Sequence, residues 1–212
     1  MRSIINSFIN EEHKLNRKQL IAILCTIIVI AGTFGWLYEF FFYYVESGFK
    51  VFYYRGGNFL PWINIYAYGA LLIILLTYKF RKKPWLVFLI AAIGCGVLEY
   101  FSGYFYYKIN GMMCWDYNVE RFSFGSIGGF VCLRSVLIFG VSGLFLMYFV
   151  LPLLLHIANT KNINKFLTIS VIACSIVLVD EIYNLIFTEL FDLPRASQIY
   201  KKIGFKYKYF RQ

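Results

Sequence analysis

Charge is scarce in this chain of 212 residues: Asp, Glu, Lys and Arg together make up 15%, against 60% hydrophobic residues. With a mean hydropathy of +0.63, that is too little polar surface for an ordinary water-soluble domain. A soluble enzyme, a nucleic-acid binder and a disordered tail are thereby excluded. Histidine is rarer still, and the two present, His13 and His156, are far apart with no Cys or carboxylate at metal-ligand spacing, which argues against a zinc site. Of the five cysteines, four (Cys25, Cys95, Cys132, Cys174) lie inside apolar runs and only Cys114 sits in a polar loop, so no disulfide framework is implied. Met112-Met113-Cys114 groups soft donors of the kind that hold Cu(I), but one short loop cluster does not make a metal centre. No phosphate-cradling Walker motif is present.

What the chain has in abundance is long apolar runs, and a bilayer crossing takes about 20 helical residues. Five runs qualify, at approximately 20–45, 60–78, 84–107, 125–155 and 166–190, so the expected fold is an all-α, polytopic membrane helix bundle of about five transmembrane helices. The expected layout is a cytoplasmic amphipathic N-terminal segment (1–19), the bundle (20–190) and a basic, aromatic interfacial tail (191–212). The first run ends in an aromatic stretch with no small-residue cleavage site, unlike a signal peptide. Pro84 is placed to open the third span and Pro152 to close the fourth.

The net charge of +10 comes from Lys and Arg falling between the runs, which reads as a topology signal and as contact with anionic lipid headgroups, not as a nucleic-acid footprint. Arg2, Lys14, Arg17, Lys18, Lys79, Arg81, Lys82, Lys83, Lys161 and Lys165 share one side, against Lys50, Arg55, Lys108 and Arg121 in the two opposite loops, which favours a cytoplasmic N-terminus. Five crossings then leave the basic tail (Arg195, Lys201, Lys202, Lys206, Lys208, Arg211) outside, against the same rule, and its side stays open.

Odd-numbered spans carry acids: Glu39 in the first, Glu99 in the third, Asp180 and Glu181 in the fifth. At about 1.5 Å per residue, Glu39, Glu99 and Asp180 would lie roughly 20–28 Å along their helices, with Arg134 of span four at a similar or slightly deeper level. Ionisable groups at that depth face a bundle interior or a watery cavity and pair. One arginine cannot neutralise four carboxylates, so either a structural ion pair fixes the packing or the remaining acids need raised pKa values, a cation or a positively charged ligand. Asp180, Asn184 and Thr188 recur every four residues as a polar stripe. After each of the first two acidic spans the chain runs through aromatics to a tryptophan, Trp62-Ile63-Asn64-Ile65-Tyr66 and Trp115-Asp116-Tyr117-Asn118, a possible helix-loop-helix internal repeat. The other outer tyrosines suit an interfacial belt, whereas Trp62, Asn64, Tyr66, Trp115, Asp116 and Tyr117 combine ring faces with groups that orient a ligand over a cavity mouth.

These motifs, Gly35-Trp36-Leu37-Tyr38-Glu39, Pro61 to Ala70, Leu98-Glu99-Tyr100, Trp115-Asp116-Tyr117-Asn118 and Val179-Asp180, resemble those of the bacterial integral membrane family known as ABC-transporter type IV, or CmpB-like. The resemblance runs from about residue 30 to 185 and departs after Tyr117, where Asn118 replaces the usual Ser. It implies a multi-pass protein of the bacterial plasma membrane, with Glu39, Tyr66, Gly69, Glu99, Trp115, Asp116, Tyr117 and Asp180 at family-pattern positions.

The leading expectation is a transporter membrane component that binds a small solute from outside. Its expected site is Glu39, Trp62, Asn64, Tyr66, Glu99, Trp115, Asp116, Tyr117, Arg134, Asp180, Glu181 and Asn184, with no metal and no cofactor, and a separate ATPase supplies any ATP-driven step. The alternatives are an intramembrane enzyme acting on a lipid-linked substrate, with Glu39, Glu99 or Asp116 as general base, and a membrane scaffold or regulator. No nucleophile–base pair is recognisable to favour the enzyme.

Overall fold

A computed structural model describes residues 2–10 and 15–207. His13 and Lys14, and Lys208 and Arg211 of the tail, lie outside the described residues. The chain is helical nearly throughout: α1 (Arg2–Asn10), α2 (Arg17–Glu46), α3 (Asn64–Thr77), α4 (Pro84–Asn110), α5 (Leu133–Phe145), α6 (Leu151–Thr160), α7 (Ile163–Ile182), α8 (Thr188–Leu190) and α9 (Ala196–Lys202). A π turn at Leu146–Val150 joins α5 to α6, and another at Tyr183–Phe187 joins α7 to α8. Among the described residues four helical stretches are long and apolar enough to cross a membrane: Arg17–Glu46, Pro84–Asn110, Leu133–Thr160 and Ile163–Leu190. The apolar stretch Asn64–Phe80 is shorter.

Local chemistry sets the ends. The Asn16 side chain accepts from Gln19 N while the Gln19 side chain accepts from Asn16 N, a reciprocal cap that starts α2. Pro84 opens α4, where its missing N–H costs nothing, and Gly111 at φ 67° closes it. The fourth span differs from its expected limits. It begins at Leu133 because Gly125, Gly128 and Gly129 hold positive φ in the preceding loop, and it runs on through Pro152 to Thr160. Proline cannot donate to the carbonyl one turn back, and the π turn immediately before Pro152 lets the helix continue. Arg134 therefore stands in the first turn of α5, at the end of the span and not deep within it.

At one end of the bundle, Arg81 Nε donates to the Phe8 carbonyl, tying α1 to the α3–α4 turn, and Gln19 Nε2 donates to Asn159 Oδ1, tying the start of α2 to the end of α6. The loops 47–63 and 111–132 lie at the other end, joined where Arg55 Nη2 donates to the Cys114 carbonyl. The tail lies there too: Tyr53 and Tyr54 (β1) pair in parallel with Lys206 and Tyr207 (β2), and the Tyr200 hydroxyl donates to the Phe59 carbonyl. That places the tail on the face of loop 47–63.

Loop 47–63 explains why α3 is short. Trp62 Nε1 donates to the Ile28 carbonyl and Ile63 N donates to the Gly32 carbonyl, and Gly32 is 14 residues, about 21 Å of helical rise, below the end of α2. The chain thus re-enters the bundle before α3 begins, and this shorter helix runs from there to the α3–α4 turn. Non-helical backbone at such depth is stable only if its polar groups are satisfied inside the protein. Here the Tyr54 hydroxyl serves the carbonyls of Asn58 and Phe59, and the Asp180 carboxylate accepts from the N–H groups of Phe59 and Leu60. A Cβ on Gly32 would lie 2.1 Å from Trp62, and one on Gly35 2.1 Å from the Tyr66 ring, so both glycines exist to seat these aromatics against α2.

Candidate functional site

Between α2, α3, α4 and α5 lies a cavity of about 450 Å³. Four elements present one face each by helical periodicity: Gly35, Tyr38, Glu39, Phe42 and Tyr43 from α2, Tyr66 and Gly69 from α3, Cys95 and Glu99 from α4, and Arg134 and Ile138 from α5. Loop 111–132 roofs it with Trp115, Tyr117 and Glu120.

Its polar end contains three carboxylates with different partners. Glu39 Oε2 accepts from Arg55 Nε at 2.7 Å, and its Oε1 accepts from the Tyr66 hydroxyl at 3.1 Å. Arg55 is buried and lies 4.3 Å over the Tyr43 ring. Burial, the largest single influence, would lower its pKa, but the Glu39 charge and hydrogen bond together with Tyr43 and Glu120 outweigh it, so the net shift is upward and the guanidinium stays charged. Glu120 accepts from Arg134 Nη2 at 2.9 Å and from the Tyr43 hydroxyl at 2.6 Å. Burial raises the Glu120 carboxyl above its ordinary value, against the opposing effect of those two donors. Arg134 also donates to the Arg121 carbonyl and lies over the rings of Phe42 and Tyr117, but its buried Nε has no hydrogen-bond partner among the described residues.

Glu99 is the third, and it has no arginine. It is 6% exposed; its Oε1 accepts from the Tyr117 hydroxyl at 2.7 Å, and its buried Oε2 has no hydrogen-bond partner among the described residues. The neighbouring Ser135 hydroxyl donates to the Cys132 carbonyl. Burial, reinforced by Glu99, raises the pKa of Tyr117 well above the ordinary tyrosine value, so it remains a hydroxyl donor.

The expected single centre of all the acids with Arg134 is corrected by this geometry. Glu39, Tyr66, Glu99, Trp115, Tyr117 and Arg134 do line one cavity, but Arg134 pairs with Glu120 and not with Glu99. Asp180, Glu181 and Asn184 stand elsewhere, on the face of α7 that holds the re-entrant loop. Glu181 accepts from Asn64 Nδ2 at 2.6 Å and from Asn58 Nδ2, and Asn184 binds Asp180 with its amide while its Oδ1 accepts from Ala196 N at the start of α9. The stripe of polar residues on span five thus serves backbone and amide groups that would otherwise be unsatisfied. Trp62, expected at a cavity mouth, is 1% exposed and packs among Ile28, Ala67 and Val177. Asp116 is buried in its own loop, where Oδ1 accepts from Asn118 N. Arg55, Glu120, Tyr43 and Tyr38 were missed: the first two sit in loops that hydropathy assigns to solvent, and the tyrosines sit in a belt-like run.

The model of the family described as "Putative ABC-transporter type IV" matches residues 4–185, most of the chain. The chain belongs to this family. It is accordingly a membrane protein of an ABC-transporter-like family, consistent with its long apolar helices. No curated protein and no solved structure matches it. Within the matched region the cavity is complete, whereas the tail that covers loop 47–63 from residue 186 onward falls outside it.

Proposed function

We propose that this protein is a solute-binding membrane component of a bacterial plasma-membrane transporter, with its N-terminus in the cytoplasm and its cavity reached from the outer side. A separate ATPase would power any ATP-driven step, since the chain has no Walker motif. The observation that carries this reading is the unequal treatment of three carboxylates around one cavity. Glu39 and Glu120 each have an arginine; Glu99 has none and keeps Oε2 unpaired on the cavity wall. A buried carboxylate without a counter-charge is costly, and a ligand bearing an ammonium group supplies both the charge and the missing donor. The surrounding rings of Tyr38, Tyr43, Tyr66 and Trp115 suit an organic cation. Chemistry finds less support, because two of the three candidate bases are occupied: Glu39 is held by Arg55 and Tyr66, and Asp116 is turned into its loop.

The test is a thermal-shift screen of purified protein against amines, amino acids and amine-bearing headgroups. A ligand that binds only the folded form raises the melting temperature. Protection by an amine that disappears in Glu99→Gln, with that variant still folded, is the expected result. Equal protection of parent and Glu99→Gln by every active compound sinks the proposal.

A further inference from the structure

The cavity is longer than a small solute needs. From its polar end it continues past Gly35, Gly69 and Ala70 to Ile27, Ile73 and Val150. Its lining on α2 runs from Tyr43 to Ile27 and on the fourth span from Arg134 to Val150, each 16 residues or about 24 Å of rise. Below Glu39, Glu99 and Arg134 the wall is almost wholly apolar, with Ser142 and the thiol of Cys95 as its polar exceptions. The cavity also opens sideways. Phe34 on α2 and Val141 and Phe145 on α5 line it while being 59%, 60% and 50% exposed, so the gap between these two helices faces the surface that the bilayer would cover. α2 packs instead on α3, α6 and α7, and α5 on α4, which leaves no closed seam between α2 and α5.

We infer that the ligand is a single-chain amphiphile whose ammonium head binds Glu99 and whose apolar chain fills the lower limb, entering laterally from the outer leaflet between α2 and α5. This rests on the amine-binding reading above and adds the chain and the route. The two unpartnered buried atoms at the polar end define the head. Glu99 Oε2 accepts from the ammonium, and Arg134 Nε donates to an oxygen a few bonds away, with the Tyr117 ring between the two residues. An amino alcohol or an aminoalkyl ester on a long chain has that pattern. The chain leaves water-like surroundings for an apolar slot at a depth matched to its length, and the lateral gap spares the head a crossing of the roof formed by Trp115 and Tyr117.

The gap and the lower limb supply the test. A Cβ at Gly69 would meet only Cys95 Sγ at 3.7 Å, so Gly69→Leu fills the limb at little steric cost to the backbone; Ser142→Phe fills it from the exposed margin of α5. The probe is a long-chain amino alcohol with a photoactivatable diazirine at the chain end, applied to the full chain in phosphatidylcholine nanodiscs. Crosslinks are expected at Ile27, Ile73 or Val150. They should fall at least tenfold in Gly69→Leu or Ser142→Phe and in Glu99→Gln, and dodecylamine should compete at least tenfold better than ethylamine. Ethylamine competing as well as dodecylamine, with Gly69→Leu and Ser142→Phe unaffected, overturns the amphiphile while leaving amine recognition standing. Crosslinking indifferent to Glu99→Gln as well overturns both.

Discussion

The Tyr117 hydroxyl donates to Glu99 Oε1 at 2.7 Å and so holds the carboxyl with its other oxygen bare on the cavity wall. The same device recurs one helix pair earlier, where the Tyr66 hydroxyl donates to Glu39, but there Arg55 takes the second oxygen. Tyr117→Phe removes a hydroxyl donor to a buried carboxyl and should cost about 2 kcal/mol of stability, in the range for hydrogen bonds to charged groups. In a Glu99→Gln background the same change should cost about half as much. Thermal unfolding of the four proteins measures this coupling, and equal costs in both backgrounds would show that the bond carries no stability.

Arg134 and Glu120 form the nearly enclosed ion pair at the roof, their side chains 14% and 1% exposed. Removing one partner of such a pair leaves the other buried and uncompensated, a loss of about 3 kcal/mol. Arg134→Leu should therefore destabilise strongly, and Glu120→Gln added to it should recover part of the loss. Glu99→Gln added instead should give a coupling well below that of Glu120→Gln, since no direct bond joins Glu99 to Arg134. A double-mutant cycle reads both couplings. A larger coupling with Glu99 would place the ion pair wrongly.

Asp180 has a different duty from the cavity acids. Its two oxygens accept from Phe59 N and Leu60 N, so Asp180→Leu strands two backbone donors of a re-entrant segment, a cost of about 1–3 kcal/mol for each group. The segment should loosen and become cleavable by protease between residues 47 and 63. Amine protection, if carried by Glu99, should outlast Asp180→Asn, which keeps one acceptor oxygen. Loss of ligand binding in Asp180→Asn with the loop still protected would return Asp180 to the site.

Glu120 also makes stability depend on pH. Burial raises its folded pKa above the unfolded carboxyl value of about 4.3, so between the two the folded state binds the proton more tightly. The contribution is fully present below the unfolded pKa and is lost as pH rises through the folded one. The melting temperature of the parent should therefore carry a component that falls with rising pH above about 4. Glu120→Gln should lack that component. Parallel curves for the two proteins would remove Glu120 as its source.

Much of the architecture was legible in the sequence, because apolar runs of membrane length and caps such as Asn16, Pro84 and Gly111 are local signals. Glu39 and Glu99 were legible as cavity residues for the same reason: charge within an apolar helix has few other places to go. The pairing was not. Arg55 and Glu120 come from loops that fold back onto the bundle, and no periodicity links them to residues 16 and 14 positions away. Trp62 and Asp180 misled because re-entry is a tertiary event. A tryptophan beside an outer loop reads as interfacial, whereas the chain carries it down to Ile28, and the acid expected to meet a ligand meets the backbone of that descending loop.

The tail joins the topology to that loop. β2 pairs with β1, the Tyr200 ring lies tilted 4.7 Å from that of Tyr54, and Ala196 N donates to Asn184, so residues 195–207 share the side of loop 47–63. The proposed cytoplasmic N-terminus would put that basic tail outside, against the usual charge bias that Arg17, Lys18, Arg81, Lys82 and Lys83 would obey. Two labelling results separate packing from orientation. Cysteines placed at the exposed positions Lys50 and Lys202 should react alike with an impermeant thiol reagent in intact cells, over a background lacking Cys114, because the two segments pack on one face. A cysteine at Lys82 should stay unlabelled until the membrane is opened. Unlike labelling at Lys50 and Lys202 would break the packing of tail on loop, whereas labelling at Lys82 alone would invert the protein in the membrane and turn the cavity's polar end, with Glu99, toward the cytoplasm.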